Sequence, residues 1–89
     1  MRRSILKQIV KREALEWEKR DCHELRTLNY PQVYEVQHGG KTVTVEVDLL
    51  EEEPGFVQLC IEAYAEDFLS PYCPPFDIVV VKDMPTAPT

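Results

Sequence analysis

Apolar residues recur at spacings of three and four along the first third of the chain, as they do on one face of a helix. We predict a helix from Ser4 to about Leu28, because Pro31 restricts the residue before it to extended conformations. Since the residues at 21–23 are weak helix formers, a break near Asp21 is the alternative to one continuous helix. The apolar stripe consists of Leu6, Ile9, Val10, Ala14 and Trp17, with Trp17 interpreted as a core anchor.

Strict alternation of apolar and polar residues replaces the helical spacing in two segments, Gln32–His38 and Thr42–Leu50. Gly39-Gly40 separates them, and glycine accepts the positive φ angles of a two-residue hairpin turn. Such a turn pairs Val36 with Val43 and places the apolar partners on one face of the hairpin. The pattern therefore predicts an antiparallel hairpin whose valine face packs on the helix.

Two further strands are predicted in the second half of the chain, at Phe56–Ala65 and Phe76–Lys82. The charged segment 51–55 is interpreted as the turn before the third strand. The segment 66–75 contains three prolines, so we predict a long loop there. The run Ile78-Val79-Val80-Val81 does not alternate, and it is typical of a strand that is covered on both faces or exposes Ile78 and Val80 at an interface.

The predicted fold class is α+β, with an N-terminal α-helix packed on one face of a four-stranded antiparallel β-meander (α-β-β-β-β). The element order resembles that of cystatin-like folds, in element order only, and the chain has no protease-inhibitor motif. We expect residues 1–83 to form a single domain and residues 84–89 to form a disordered C-terminal tail.

Charge is divided unevenly between the two parts of a chain of 89 residues with a formal net charge of −6. Residues 1–30 contain eight Lys and Arg against five Asp and Glu, whereas residues 31–89 contain two against eleven. Phosphate binding requires cations, so the acidic part disfavours nucleic acid as a partner and favours a basic protein. The alternative is a nucleic-acid function of the basic N-terminal residues Arg2, Arg3, Lys7 and Lys11.

Three cysteines without paired spacing, Cys22, Cys60 and Cys73, argue against a disulfide scaffold and indicate a reducing compartment. Charged residues interrupt the first apolar stretch, which disfavours a signal peptide, and no apolar run is long enough to span a membrane. We therefore expect a cytoplasmic protein without membrane association. The scattered Cys and His residues disfavour a metal site, and no motif indicates a cofactor.

The preferred functional hypothesis is a non-enzymatic interaction module that uses the outer sheet face and the loop 66–75. It would be a regulator, an inhibitor, an immunity-type protein or a homodimer. An apolar patch with an acidic rim is typical of a surface that binds a protein or a second copy of the same chain. The predicted interaction residues are Val33, Glu35, Glu46, Phe56, Cys60, Glu62, Tyr64 and Tyr72.

The alternative hypothesis is a small-molecule-binding domain or an enzyme, with Cys73 in a cleft under the proline-rich loop. A cysteine nucleophile needs a base within hydrogen-bond reach, and His23 and His38 are the candidates. No sequence signature links either histidine to Cys73, so the protein is expected not to be an enzyme.

Overall fold

A computed structural model describes residues 2–66 and 74–83, and these residues form two helices and one antiparallel sheet. The strands lie in the order β1-β2-β3-β4, which confirms the predicted α+β meander with an N-terminal helical segment. The predicted tail 84–89 and most of the predicted loop lie outside the described residues. The elements are α1 (Arg3–Glu18), α2 (Cys22–Thr27), β1 (Gln32–His38), β2 (Lys41–Glu53), β3 (Phe56–Tyr64) and β4 (Phe76–Lys82).

The N-terminal helical segment is two helices, so the prediction of one continuous helix is wrong and the alternative break near Asp21 is confirmed. Asp21 is extended, with φ −73° and ψ 140°, and it precedes α2. The break redirects the chain so that Cys22 and Leu25 are buried under the sheet. The predicted start at Ser4 is also wrong, because α1 begins at Arg3.

The β1–β2 hairpin has the predicted register. Val36 lies opposite Val43, and the turn residues Gly39 and Gly40 have φ angles of +56° and +79°. Most L-residues avoid these angles, whereas glycine adopts them without steric cost. The turn chemistry and the alternation therefore specify the same pairing.

The strand β2 is longer than predicted, because it continues through the acidic residues to Glu53. The predicted turn at 51–55 is thereby shortened to Pro54-Gly55, where Gly55 has a φ of +106°. The register shifts between Leu49 and Glu51, so Leu50 is the additional residue of a β-bulge. Before the bulge, the odd-numbered side chains of β2 lie on the side of the sheet that faces the helices. After the bulge, the even-numbered side chains lie on that side.

The core lies between the helices and one face of the sheet, which we call the inner face. Helix α1 packs mainly against β3 and β4, and its buried residues are those of the predicted stripe, including Trp17. The predicted valine face is confirmed, because Val43, Val45 and Val47 are fully buried. The opposite face, which we call the outer face, is not covered by either helix. In the described residues, no helix combines the length and apolarity that crossing a membrane requires.

Candidate protein-interaction surface

Three exposed apolar side chains of the outer face lie in one row on β4. Phe76, Ile78 and Val80 are 58, 39 and 44% exposed, and we call these three residues the β4 row. The intervening residues Val79 and Val81 point into the core and are buried. Of the two alternatives for the apolar run 78–81, the structure therefore shows the one in which Ile78 and Val80 are exposed.

The row continues onto β3 through Cys60, which lies opposite Ile78. Cys60 was predicted to contribute to an interaction surface, and it does lie on the outer face, but its side chain is only 8% exposed. Burial raises the pKa of the Cys60 thiol, and the neighbouring carboxylate of Glu62 raises it further. A neutral, buried thiol is an apolar filler of the sheet surface and a poor nucleophile.

Three carboxylates, Glu46, Asp48 and Glu62, lie beside the β4 row on the two central strands, and we call them the acidic cluster. Glu46 lies opposite Glu62, and Asp48 lies opposite Cys60. A hydrogen bond with Asp48, burial, and the charges of Asp48 and Glu62 raise the pKa of Glu46. In the described part of the chain, no Lys or Arg forms an ion pair with these carboxylates. The cluster therefore presents uncompensated negative charge.

Val33, a predicted member of the apolar patch, lies on the outer face but apart from the apolar side chains of β4. The register places Val33, Glu46, Glu62 and Phe76 side by side across the four strands. Two carboxylates thus separate Val33 from the β4 row.

The other predicted interaction residues lie apart from one another. Glu35 is on the edge strand β1, and Tyr64 pairs with Thr44 near the hairpin end of the sheet. Phe56 is half-buried and lies opposite Lys82 at the other end. Tyr72 lies outside the described residues.

Phe76 and Asp48 were missed as candidate residues. Phe76 has the same parity as Ile78 and Val80, so the alternation of the last strand already indicated that it lies on their face. The position of Asp48 beside Cys60 depends on the pairing of β2 with β3, which no short turn in the sequence specifies.

The strand β4 is at the edge of the sheet, and alternate backbone groups point away from β3. Backbone hydrogen bonds from Asp83 to Gly55 (2.8 Å) and from Ala63 to Pro75 (3.2 Å) fix which residues face β3. In an antiparallel pair this orientation alternates, so the amide and carbonyl groups of the β4 row point to the edge that no described strand pairs with, which we call the free edge. The backbone N–H of Ile78 donates to the Asp77 carboxylate at 2.9 Å.

A shallow groove of about 670 Å³ opens along this free edge. One wall is the connector between the helices, from Glu18 to Cys22, and the other is the segment Val80–Lys82. Val80 belongs to the outer face and Cys22 to the inner face, so the groove lies at the strand edge between them. Its charged lining residues are three cations, Lys19, Arg20 and Lys82, and two carboxylates, Glu18 and Asp21.

The residues of the alternative hypotheses are not brought together by the described structure. Cys73 lies outside the described residues, and His23 is exposed on α2. Within 2–66 and 74–83, no three His, Cys, Asp or Glu side chains are grouped so that they could hold a metal ion. A depression of about 560 Å³ lies where the predicted loop begins, lined by Glu35, Lys41, Thr42, Thr44 and Glu66.

The chain matches no protein-family model, no curated protein and no solved structure. The geometry of this surface is therefore what indicates a function for the protein.

Proposed function

We propose that this protein is a non-enzymatic protein–protein interaction module that binds through the β4 row and the adjacent acidic cluster. The observation that carries the proposal is the exposure of Phe76, Ile78 and Val80 as one continuous row on an edge strand. An aromatic and two branched aliphatic side chains, bordered by charge, have the composition of an interface centre with a polar rim.

The acidic cluster supports a finer proposal about the interaction. Carboxylates that lack an ion-pair partner attract basic side chains and accelerate association with a basic surface. A basic partner would suit a regulator, an inhibitor or an immunity-type protein. The eleven Asp and Glu of residues 31–89 strengthen this attraction.

Site-specific photocrosslinking in cells tests the proposed surface. The photoreactive residue p-benzoylphenylalanine is placed at Phe76 in one variant and at Leu15 in a control variant. Leu15 is 56% exposed, close to the exposure of Phe76, but it lies on α1. We expect a discrete covalent adduct from position 76 and none from position 15. The same adduct from both positions, or from neither, would contradict the proposal.

The role of charge is tested on the adduct partner once it is identified by mass spectrometry. Glu46→Lys and Glu62→Lys should each weaken binding to a basic partner by about tenfold at low salt, and less at high salt. Glu51→Lys, which changes a carboxylate outside the cluster, is the control. Unchanged affinity in both cluster variants would contradict the electrostatic role.

A further inference from the structure

We infer that a second copy of this chain occupies the β4 row, and that the two copies pair antiparallel through their free β4 edges. The inference rests on the proposed function, because it names a partner for the β4 row; the acidic cluster lies outside the paired edges and stays accessible to a basic protein. Two four-stranded sheets would then form one continuous eight-stranded sheet about a two-fold axis.

The geometry of β4 permits this pairing along the whole strand. The strand runs from Phe76 to Lys82, so Val79 is its midpoint. A two-fold axis at Val79 pairs Ile78 of one copy with Val80 of the other, and Phe76 with Lys82. Every even-numbered residue therefore lies opposite another even-numbered residue. The even-numbered residues are those whose backbone groups point to the free edge. This register pairs β4 along its whole length, and it also gives hydrogen-bond partners to the backbone groups that point away from β3.

The side chains on the outer face are self-complementary in this register. Ile78 of each copy lies opposite Val80 of the other, which gives two apolar pairs beside the axis. Phe76 lies opposite Lys82, whose methylene stem and ammonium group both interact favourably with an aromatic ring. Such cross-strand pairs are the units that stabilise a sheet.

The distribution of charge favours pairing at the edge over stacking of two outer faces. Edge pairing separates Glu62 of one copy from Glu62 of the other by about 14 Å across three strand spacings and by about 20 Å along the strands, because Glu62 lies beside Phe76 and Phe76 lies opposite Lys82 of the other copy. The resulting distance of about 24 Å exceeds the screening length of about 8 Å at physiological salt. Face-to-face stacking would bring the two acidic clusters to about 10 Å, the usual distance between packed sheets. The acidic outer face therefore directs a second copy to the edge.

The groove beside Val80–Lys82 gives the incoming strand a place to lie. In the proposed register, Asp77 of the second copy comes opposite Val81, on the wall that faces the connector Glu18–Cys22 across the groove. Among the described residues, the hydrogen bond between the Ile78 amide and the Asp77 carboxylate is a local contact that competes with pairing. Removal of that carboxylate in Asp77→Ala should therefore strengthen the dimer by about tenfold, since each copy gains a free donor.

Sedimentation equilibrium from low to high micromolar concentration tests the inference. We expect a monomer–dimer equilibrium for the wild type and a dimer at least 100-fold weaker, as an approximate figure, for Val80→Lys, which places two ammonium groups next to apolar partners. Val80→Pro is a second variant. It removes the backbone N–H of residue 80, which points away from β3, and leaves the hydrogen bonds between β4 and β3 in place. Val33→Lys is the control, because Val33 is similarly exposed on the opposite edge strand. A strict monomer at all concentrations would overturn the inference.

Disulfide trapping tests the register, in a background with Cys60→Ser and Cys73→Ser. Opposed residues of a hydrogen-bonded pair have Cα atoms about 5.5 Å apart, within the range of a disulfide. We expect a covalent dimer when Ile78→Cys and Val80→Cys chains are mixed, and little from either variant alone. Efficient trapping by one variant alone would overturn the register centred on Val79.

The photocrosslinking and sedimentation results separate the two proposals. An adduct from position 76 to a different protein, together with a strictly monomeric chain, would overturn self-pairing and support the proposed interaction surface. An adduct of twice the chain mass that Val80→Lys abolishes would support both. No adduct and no dimer would overturn both.

Discussion

At the scale of single residues, Tyr34 connects β1 to α1 through its hydroxyl group. The indole N–H of Trp17 donates to the Tyr34 hydroxyl at 2.9 Å, and that hydroxyl donates to the Glu13 carboxylate at 2.7 Å. The Arg20 guanidinium lies 3.9 Å from the centre of the Trp17 ring. Burial, with the Glu13 hydrogen bond acting in the same direction, raises the pKa of Tyr34 to about 12.

The first prediction concerns Tyr34→Phe, which leaves the Trp17 N–H and the Glu13 carboxylate without their shared partner. We expect the free energy of unfolding at neutral pH to fall by about 1–3 kcal/mol. Because the folded state holds Tyr34 neutral up to about pH 12, whereas the unfolded chain ionises near 10, this advantage of the wild type should shrink between those values. Urea titrations across this pH range measure the difference in the free energy of unfolding between the wild type and Tyr34→Phe. Tyr64→Phe is the control, and an equal loss in that variant would contradict the role of the hydrogen bonds.

At the scale of elements, the contact between Arg26 and Asp83 ties α2 to the ends of three strands. The guanidinium binds both Asp83 carboxylate oxygens, at 3.1 and 3.3 Å, and donates to the Glu53 carbonyl at 2.7 Å. The Gly55 amide donates to the same carboxylate at 3.0 Å. The hydrogen bond from Arg26 lowers the pKa of Asp83, and the hydrogen bond from the Gly55 amide contributes to the same effect.

The second prediction concerns Asp83→Asn, which should be less stable than the wild type at neutral pH. Since the folded-state pKa of Asp83 is depressed, its stabilising effect is present above about pH 4 and is lost as the pH falls through the folded value. The difference between wild type and variant should therefore close in acid. Chemical denaturation at a series of pH values measures it, with Glu51→Gln as the control. A difference that does not change with pH would contradict the role assigned to the carboxylate charge.

Local patterns predicted those elements whose alternation and turn residues agree. The bounds of β1 follow from alternating residues between Pro31 and Gly39, and those of β4 follow from an apolar run that begins after Pro75. The hairpin register follows from Gly39-Gly40. The bulge at Leu50 was missed because Leu49 and Leu50 are both apolar, so the alternation of apolar and polar residues stops at this point. The sequence therefore does not show where the pattern of inward and outward side chains in β2 is reversed. The helix break was foreseen only as an alternative, since helix propensity alone is a weak signal.

The candidate site was less predictable than the fold, because it depends on contacts between strands that are distant in sequence. Val33 and Phe76 have the parity of the same outer face, but the sheet order places Glu46 and Glu62 between them. The alternation in a single sequence shows which residues of a strand share a face. It does not show which strands are neighbours or how they are aligned, and these decide whether side chains on one face form a contiguous patch.

At the scale of the whole molecule, negative charge is concentrated on the outer face while the basic residues lie mainly on the helices. The three carboxylates of the acidic cluster repel one another across β2 and β3, and this repulsion contributes to the raised pKa of Glu46. An ionised group whose pKa is raised by folding destabilises the folded state at neutral pH. The acidic cluster therefore reduces the stability of the folded state, and it also gives the outer face its negative charge.

The third prediction is that Glu46→Gln is more stable than the wild type at neutral pH. The gain should decrease as the pH falls through the raised folded-state pKa of Glu46 toward the ordinary glutamate value of about 4.3, and it should also decrease with added salt. Thermal or urea unfolding measures both dependences. Glu35→Gln, which removes a carboxylate from the edge strand β1, is the control. A loss of stability in Glu46→Gln would contradict the proposed repulsion.

The hydrogen bond from the Cys22 thiol to the Val81 carbonyl, at 2.9 Å, joins residues 59 positions apart and has a consequence for biosynthesis. Helix α1 packs against β4 as well as β3, so one of its two main supports is the strand that is synthesised last among the four described strands. The nascent chain can pair β1, β2 and β3 as each emerges, but Val79 and Val81 arrive only afterwards. The helix stripe around Val10 therefore keeps exposed apolar surface until translation has passed β4, and during that interval it is a natural binding site for a chaperone.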